Sequence, residues 1–121
     1  MADPIMDRVP PHNHEAEQAV IGAIFLDSST LITASEILRP DDFYRSAHQK
    51  IFETFIRLSD RGKGIDVVTV TEELSSKKEL ENVGGVAYIM ELANAVPTAA
   101  NVGHYAKIVE EKALLRRLIH V

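Results

Sequence analysis

The sequence predicts an all-α protein: a compact domain of about six helices followed by the first arm of a helical hairpin. Three observations carry the fold class. Helix-favouring runs of Ala, Leu, Ile, Glu and Lys fill most of the 121 residues. Apolar residues recur within those runs at three- and four-residue spacing. Only the VVTV segment, Val67 to Val70, has strand character, and a helix-capping pattern competes with it there.

The elements follow in chain order. Met1 to Pro11 holds three prolines and no hydrophobic period, so residues 1–11 are expected to form a flexible or extended lead-in. Asn13 suits an N-cap, with Glu15 and Glu17 in the first turn. Ala16, Ala19, Val20, Ala23 and Ile24 then mark one face of a helix to about Leu26, and the small residues on that face permit close packing. Asp27 to Ser29 ends this helix and caps a short second one through Leu31, Ile32, Ser35, Ile37 and Leu38, which Pro40 closes. Ser46 is the expected cap of a third helix, whose wide stripe of His48, Ile51, Phe52, Phe55, Ile56 and Leu58 is expected to hold the centre of the core before Gly62 stops it. In TVTE, Thr69 and Glu72 have capping-box spacing, which makes Val67 to Val70 the approach to a short helix through Leu74. Gly84 and Gly85 precede a helix bearing Val86, Ile89, Met90, Leu92 and Ala93 that ends before Pro97.

The last helix carries two apolar stripes. Val102, Ala106, Val109 and Ala113 form one; Ile108, Leu115 and Ile119 form another, rotated around the axis. A helix wet on one side needs a single stripe, so the second is expected to dock on another helix. Neither Gly, Asn nor Pro follows Leu118 to stop the helix. The expectation is a chain that ends inside a helix and forms the front part of a longer protein. The expected organisation is a lead-in over 1–11, a globular helical domain over 12–97, and the first hairpin helix over 98–121.

Composition narrows the function. The absence of Cys removes disulfide frameworks and thiolate metal sites. With no signal-peptide core and no run of about 18 apolar residues, a cytoplasmic protein without a membrane partner is expected. A net charge of -5 with scattered basic residues argues against a broad phosphate-binding surface. The local exception is the last helix, where Lys107, Lys112, Arg116 and Arg117 also suit the negative end of the helix dipole.

Catalytic patterns are weak. His12 and His14 lack further ligands at metal spacing. Gly62-Lys63-Gly64 lacks the spacing of a phosphate loop and follows a helix. The adjacent pairs Asp41-Asp42, Glu72-Glu73 and Glu110-Glu111 do not face one another on a helix and make no acid-base dyad. His48 reads as a packed histidine. No catalytic, cofactor-binding or metal-binding residue is assigned. Glu15, Tyr88 and Ile119 remain as a carboxylate, an aromatic and an aliphatic able to meet at an interface, with Tyr88 equally consistent with a core position.

Several segments together resemble one family. PPHNHEAEQAVIGAIFLD, DDFYRSAHQKIFETFIRLSDRG, VVTVTEEL and GGVAYIMELANAVPTAANVGHYAKIVEEKALLRRLI look like the N-terminal domain of the bacterial replicative DNA helicase, the DnaB family, from about Val9 onward. The most specific blocks are EAEQAVIGAIF, FYR-x-x-H-x-x-IF and PTAANVGHYAKIVEEK. The resemblance implies a helical domain followed by a hairpin whose first arm is the last helix, and it places ATP, magnesium and the main DNA contact in a RecA-like motor beyond these residues. It implies no cofactor and no enzyme activity for this stretch itself. It further implies assembly of such domains as a trimer of dimers on a hexameric motor, recruitment of primase through its helicase-binding domain, and contact with helicase loader or initiation proteins.

By position, the resemblance implies Glu15, Tyr88 and Ile119 as primase-facing residues, with Leu115 and Arg116 as weaker additions. Ile108, Leu115, Leu118 and Ile119 are the candidates for self-association. The expected function is therefore a non-catalytic assembly and docking domain. Its rival is a small nucleic-acid-binding module using Lys107, Lys112, Arg116 and Arg117, and a third reading is a hydrolase using Asp41, Asp42 and His48.

Overall fold

The computed structural model describes residues 9–119, and within them the protein is entirely helical. Six α-helices run in order: α1 His14–Leu26, α2 Leu31–Ile37, α3 Ser46–Asp60, α4 Val67–Ser76, α5 Gly85–Ala93 and α6 Val102–Ile119. Short 3-10 turns at Ser28–Thr30, Pro40–Asp42 and Glu81–Val83 connect them. The predicted fold class holds. Most of the lead-in expected over 1–11, and the end of the last helix at Val121, lie outside the described residues.

α1 sits at the centre. Asn13 Oδ1 accepts from the Ala16 N–H at 2.9 Å, which starts the helix as its sequence predicted. From Ala19 to Ile24 every residue is buried, because α1 is wrapped by α5 and α6 and also touches α3. Gly22 makes this possible: a Cβ there would stand 2.8 Å from the Leu92 carbonyl oxygen and 3.1 Å from Ala95 Cβ. The chain uses the missing side chain to bring α1 against the end of α5.

α3 supplies the aromatic centre. Phe43, Phe52 and Phe55 are fully buried, with Phe43 and Phe52 ring centroids 5.1 Å apart and Phe25 edge-on to Phe55 at 5.1 Å. The helix starts at Ser46 without a side-chain cap, so the predicted Ser46 cap is not formed. It ends where Gly62 takes a left-handed φ of +70°, the conformation that glycine tolerates.

The start of α4 corrects the sequence reading. The capping box lies one turn earlier than TVTE: Asp66 Oδ1 accepts from the Thr69 N–H at 2.8 Å, and Thr69 Oγ1 accepts from the Asp66 N–H at 3.0 Å. Asp66 immediately precedes the β-branched run, so Thr69 serves as the third residue of the box and Val67 to Val70 is already helix. Glu72 has no part in it.

α6 packs against α1 and makes its most extensive contact with it. Its stripe Val102, Ala106, Val109 and Ala113 is buried as predicted. This portion of α6 belongs to the common core, because residues of α1 and α6 pack in one cluster. The last turns are different: Leu114, Leu115, Leu118 and Ile119 are exposed by 52%, 38%, 72% and 63%, an apolar end over which no described residue packs closely. No helix among the described residues is long and apolar enough to cross a membrane.

Candidate functional site

A buried polar chain underlies the surface around Tyr88. Glu17, on the core side of α1, is 1% exposed and accepts from the Tyr44 N–H at 2.7 Å and the Arg45 N–H at 3.4 Å. Its Oε1 is 2.7 Å from His48 Nδ1, and His48 Nε2 is 2.7 Å from the Tyr88 hydroxyl. His48 is completely buried and lies parallel to the Tyr88 ring at 5.9 Å. Gln18 Nε2 donates to the same hydroxyl at 3.2 Å. A buried carboxylate persists only when its lone pairs are used, and here backbone donors and an imidazole use them.

Tyr88 is thus half-buried at the edge of the core. Its position depends on Gly84, where φ is +111° and a Cβ would come 2.8 Å from Tyr88 Cβ. On the outer side of Gln18 lies a groove of about 540 Å³ between α1, the segment after α5, and α6. Glu15 and Gln18, one turn apart, form its α1 rim; Ala16, Ala19, Val96, Pro97 and Ile108 give it an apolar lining.

The predicted residues therefore fall in three places, Arg116 standing apart from the other two groups. Glu15 and Ile108 line the groove, and Tyr88 reaches it through Gln18. Ile108 also packs on the core, away from the free end of α6. Leu115, Leu118 and Ile119 belong to that free end, with Leu114 as a fourth exposed apolar residue that the stripe analysis missed.

Arg116 is held within the chain. Its guanidinium donates to the Pro11 carbonyl at 2.8 Å and the Asp42 carbonyl at 2.7 Å, and lies over the Tyr44 ring at 5.5 Å. Arg117 pairs with the Asp42 carboxylate. His12 stacks on the same Tyr44 ring at 4.2 Å. The proposed basic row of Lys107, Lys112, Arg116 and Arg117 thus has two members turned to internal partners, which removes the continuous cationic face that phosphate binding needs. The hydrolase reading fares no better: both His48 nitrogens are engaged, and Asp42 accepts from Arg117 and from the Arg39 N–H at 2.8 Å.

Electrostatics around the network are local. Desolvation first, then the neighbouring Arg45 guanidinium, holds His14 below the ordinary imidazole range. On the far side, the Arg61 hydrogen bond and then Arg57 lower Glu73 against a desolvation effect of opposite sign. The Lys50 hydrogen bond lowers Glu79, and Glu79 raises Lys50 in return. Among the described residues no cluster of three or more His, Asp or Glu is arranged to hold a metal ion.

Fold and site define an all-α domain whose distinctive features are its surfaces and the buried hydrogen-bonded chain of Glu17, His48 and Tyr88. Residues 9–111 match the family described as the DnaB-like helicase N terminal domain, and the chain belongs to that family. It is 60% identical over 119 residues to the replicative DNA helicase DnaB of Geobacillus stearothermophilus, and 60% identical over 119 residues to the replicative DNA helicase DnaC of Bacillus subtilis. These alignments take in 98% of this chain and 26% of each relative, so the chain spans about a quarter of their length. The crystal structure of the N-terminal domain of DnaB helicase from Mycobacterium tuberculosis superposes with a TM-score of 0.89 at 46% identity, over 93% of this chain and 81% of that one. A DnaB-like replicative helicase, described with its interactions with primase, superposes with a TM-score of 0.77 at 28% identity, over 89% of this chain and 25% of that one.

Proposed function

We propose that this chain is the non-catalytic assembly and docking domain of a hexameric replicative helicase, and that it uses two surfaces. The apolar end of α6 associates with further copies, in the trimer-of-dimers arrangement that the family resemblance implies. The groove rimmed by Glu15 and Gln18, with Tyr88 behind it, receives primase. ATP and magnesium belong, on this reading, to the motor that accompanies such a domain, and helicase loaders are further partners.

One observation carries the proposal: four apolar side chains lie exposed together on the last turns of a helix whose earlier turns are core. Such clustering is costly on a solvated helix and is accounted for by a helix packed over it. The described interaction of a similar helicase with primase supports primase as the partner. The mechanism is positional. Holding primase on the domain raises its concentration near the strand that the motor produces, without chemistry at the docking site.

Sedimentation equilibrium of the wild-type chain and of a Leu118→Lys/Ile119→Lys variant tests the assembly surface. Concentration-dependent association that the variant loses is the expected result. Identical behaviour of the two would overturn this assignment of the α6 end.

A further inference from the structure

We infer that Glu17 and His48, neither of which lies on the surface, set the hydrogen-bond polarity of the adjoining groove, so that it presents acceptors and selects a partner segment carrying an Arg or Lys beside an apolar residue. The inference rests on the reading that the groove is a docking site, and it specifies the chemistry of what docks.

With the His48 imidazole taken as neutral, the direction of each hydrogen bond is set. Glu17 accepts two backbone N–H groups, so the hydrogen in its 2.7 Å contact with His48 sits on Nδ1. In the neutral imidazole Nε2 is then an acceptor, and the Tyr88 hydroxyl at 2.7 Å gives its proton inward. That hydroxyl has no second proton. Gln18 must therefore turn its NH2 toward the Tyr88 oxygen, as the 3.2 Å contact has it, which leaves Oε1 on the opposite side of the amide. A buried carboxylate on one face of α1 thus fixes the orientation of an amide on its rim.

Among the described residues, those lining the groove beside that amide include Glu15, with its carboxylate, and no Lys, Arg or His. Asn13 commits its own Oδ1 to the Ala16 N–H, and its amide and the Tyr105 hydroxyl are the neutral donors of the lining. Ala16, Ala19, Val96, Pro97 and Ile108 make the remaining wall apolar. A long cationic side chain meets both demands, laying its methylene stem on the apolar wall and placing its N–H groups between Glu15 and the Gln18 carbonyl. An anionic or acceptor-only segment would face Glu15 without compensation, which makes the groove selective as well as attractive.

A double-mutant cycle measured by calorimetric titration with the helicase-binding domain of primase tests the inference, with nitrogen NMR of the histidine rings in the free chain. Gln18→Met and Tyr88→Phe each weaken binding about threefold to tenfold, the range of one hydrogen bond, and the double variant is no weaker than the worse single one because the tyrosine acts through the amide. Glu15→Gln weakens binding and flattens its dependence on salt. His48 Nε2 reads as an unprotonated acceptor. Independent, additive losses for Gln18 and Tyr88, or a hydrogen on Nε2, overturn the polarity argument and leave groove docking standing. No loss from Glu15→Gln overturns the cationic partner. Failure of the wild-type chain to bind at all overturns the docking reading underneath, and urea melts of the variants separate any of these from misfolding.

Discussion

Replacing Glu17 by Ala removes the acceptor that ties α1 to the start of α3, and its cost can be worked from the geometry. Two contacts are short: Tyr44 N–H and His48 Nδ1, each 2.7 Å from a carboxylate oxygen. The Arg45 N–H at 3.4 Å contributes little. A buried donor left unpaired costs about 1 to 3 kcal/mol, so two of them, with the small space opened by the lost side chain, place the destabilisation at about 3 to 5 kcal/mol. That is a large part of the roughly 6 to 18 kcal/mol expected for a chain of this length. In urea, at a slope of about 1 to 3 kcal/mol per molar, the midpoint should fall by about 2 M with the slope unchanged. Glu17→Gln keeps the shape and one acceptor oxygen and should lose about half as much. A loss below about 1 kcal/mol in the alanine variant would refute the reasoning, because it would mean that water satisfies those donors as well as the carboxylate does.

Three further outcomes are expected. Gly22→Ala forces a methyl to within 2.8 Å of the Leu92 carbonyl, and should lower stability by about 1 to 3 kcal/mol as α5 is pushed from α1, measured by urea or thermal unfolding. Arg116→Met retains much of the packing but removes the bonds to the Pro11 and Asp42 carbonyls, so amide exchange at His12 and Asn13 should accelerate while that of the α3 core is unchanged. The third concerns acid. His14 binds its proton less readily folded than unfolded, so its contribution is present above the unfolded value of about 6.5 and is lost as pH falls from there toward the lower folded value. Glu73 and Glu79, also lowered, hold their contribution above the ordinary carboxylate range and lose it as pH falls through their folded values. Stability should therefore decline in two acid steps, with His14→Asn removing the first and sparing the second.

Much of the fold is written in local signals. Asn13 caps α1 because a short acceptor stands at the right distance before the first apolar turn, and Val102, Ala106, Val109 and Ala113 are buried because their spacing allows no other common face. The region before α4 was readable in kind and misplaced in detail: a second candidate cap, Asp66, competes with Thr69, and only the position of the following turn decides between them.

The candidate site was less legible. Glu17 in a first helical turn has an ordinary role at a dipole, and nothing local distinguishes it from exposed Glu15; a weak signal is that Ala16, Val20, Ile21 and Ile24 surround it with apolar positions. Its partners are 27 to 31 residues away, beyond any helical repeat. Arg116 was readable in principle. It follows Val109 by seven and Ala113 by three, on the buried stripe, which marks it as an inward-facing cation needing partners. Those partners, Pro11 and Asp42, are supplied by chain segments that only the fold brings together.

The most direct test of docking in the Glu15 groove is calorimetric titration of the chain with the helicase-binding domain of primase, comparing wild type with Glu15→Lys and with Val68→Asp. Glu15 lies on the groove rim, whereas Val68, 72% exposed, lies in a separate apolar depression between α4 and α5. Binding lost with Glu15→Lys and kept with Val68→Asp is the predicted result. Binding kept with Glu15→Lys and lost with Val68→Asp would move the docking site to the depression between α4 and α5 and contradict the account.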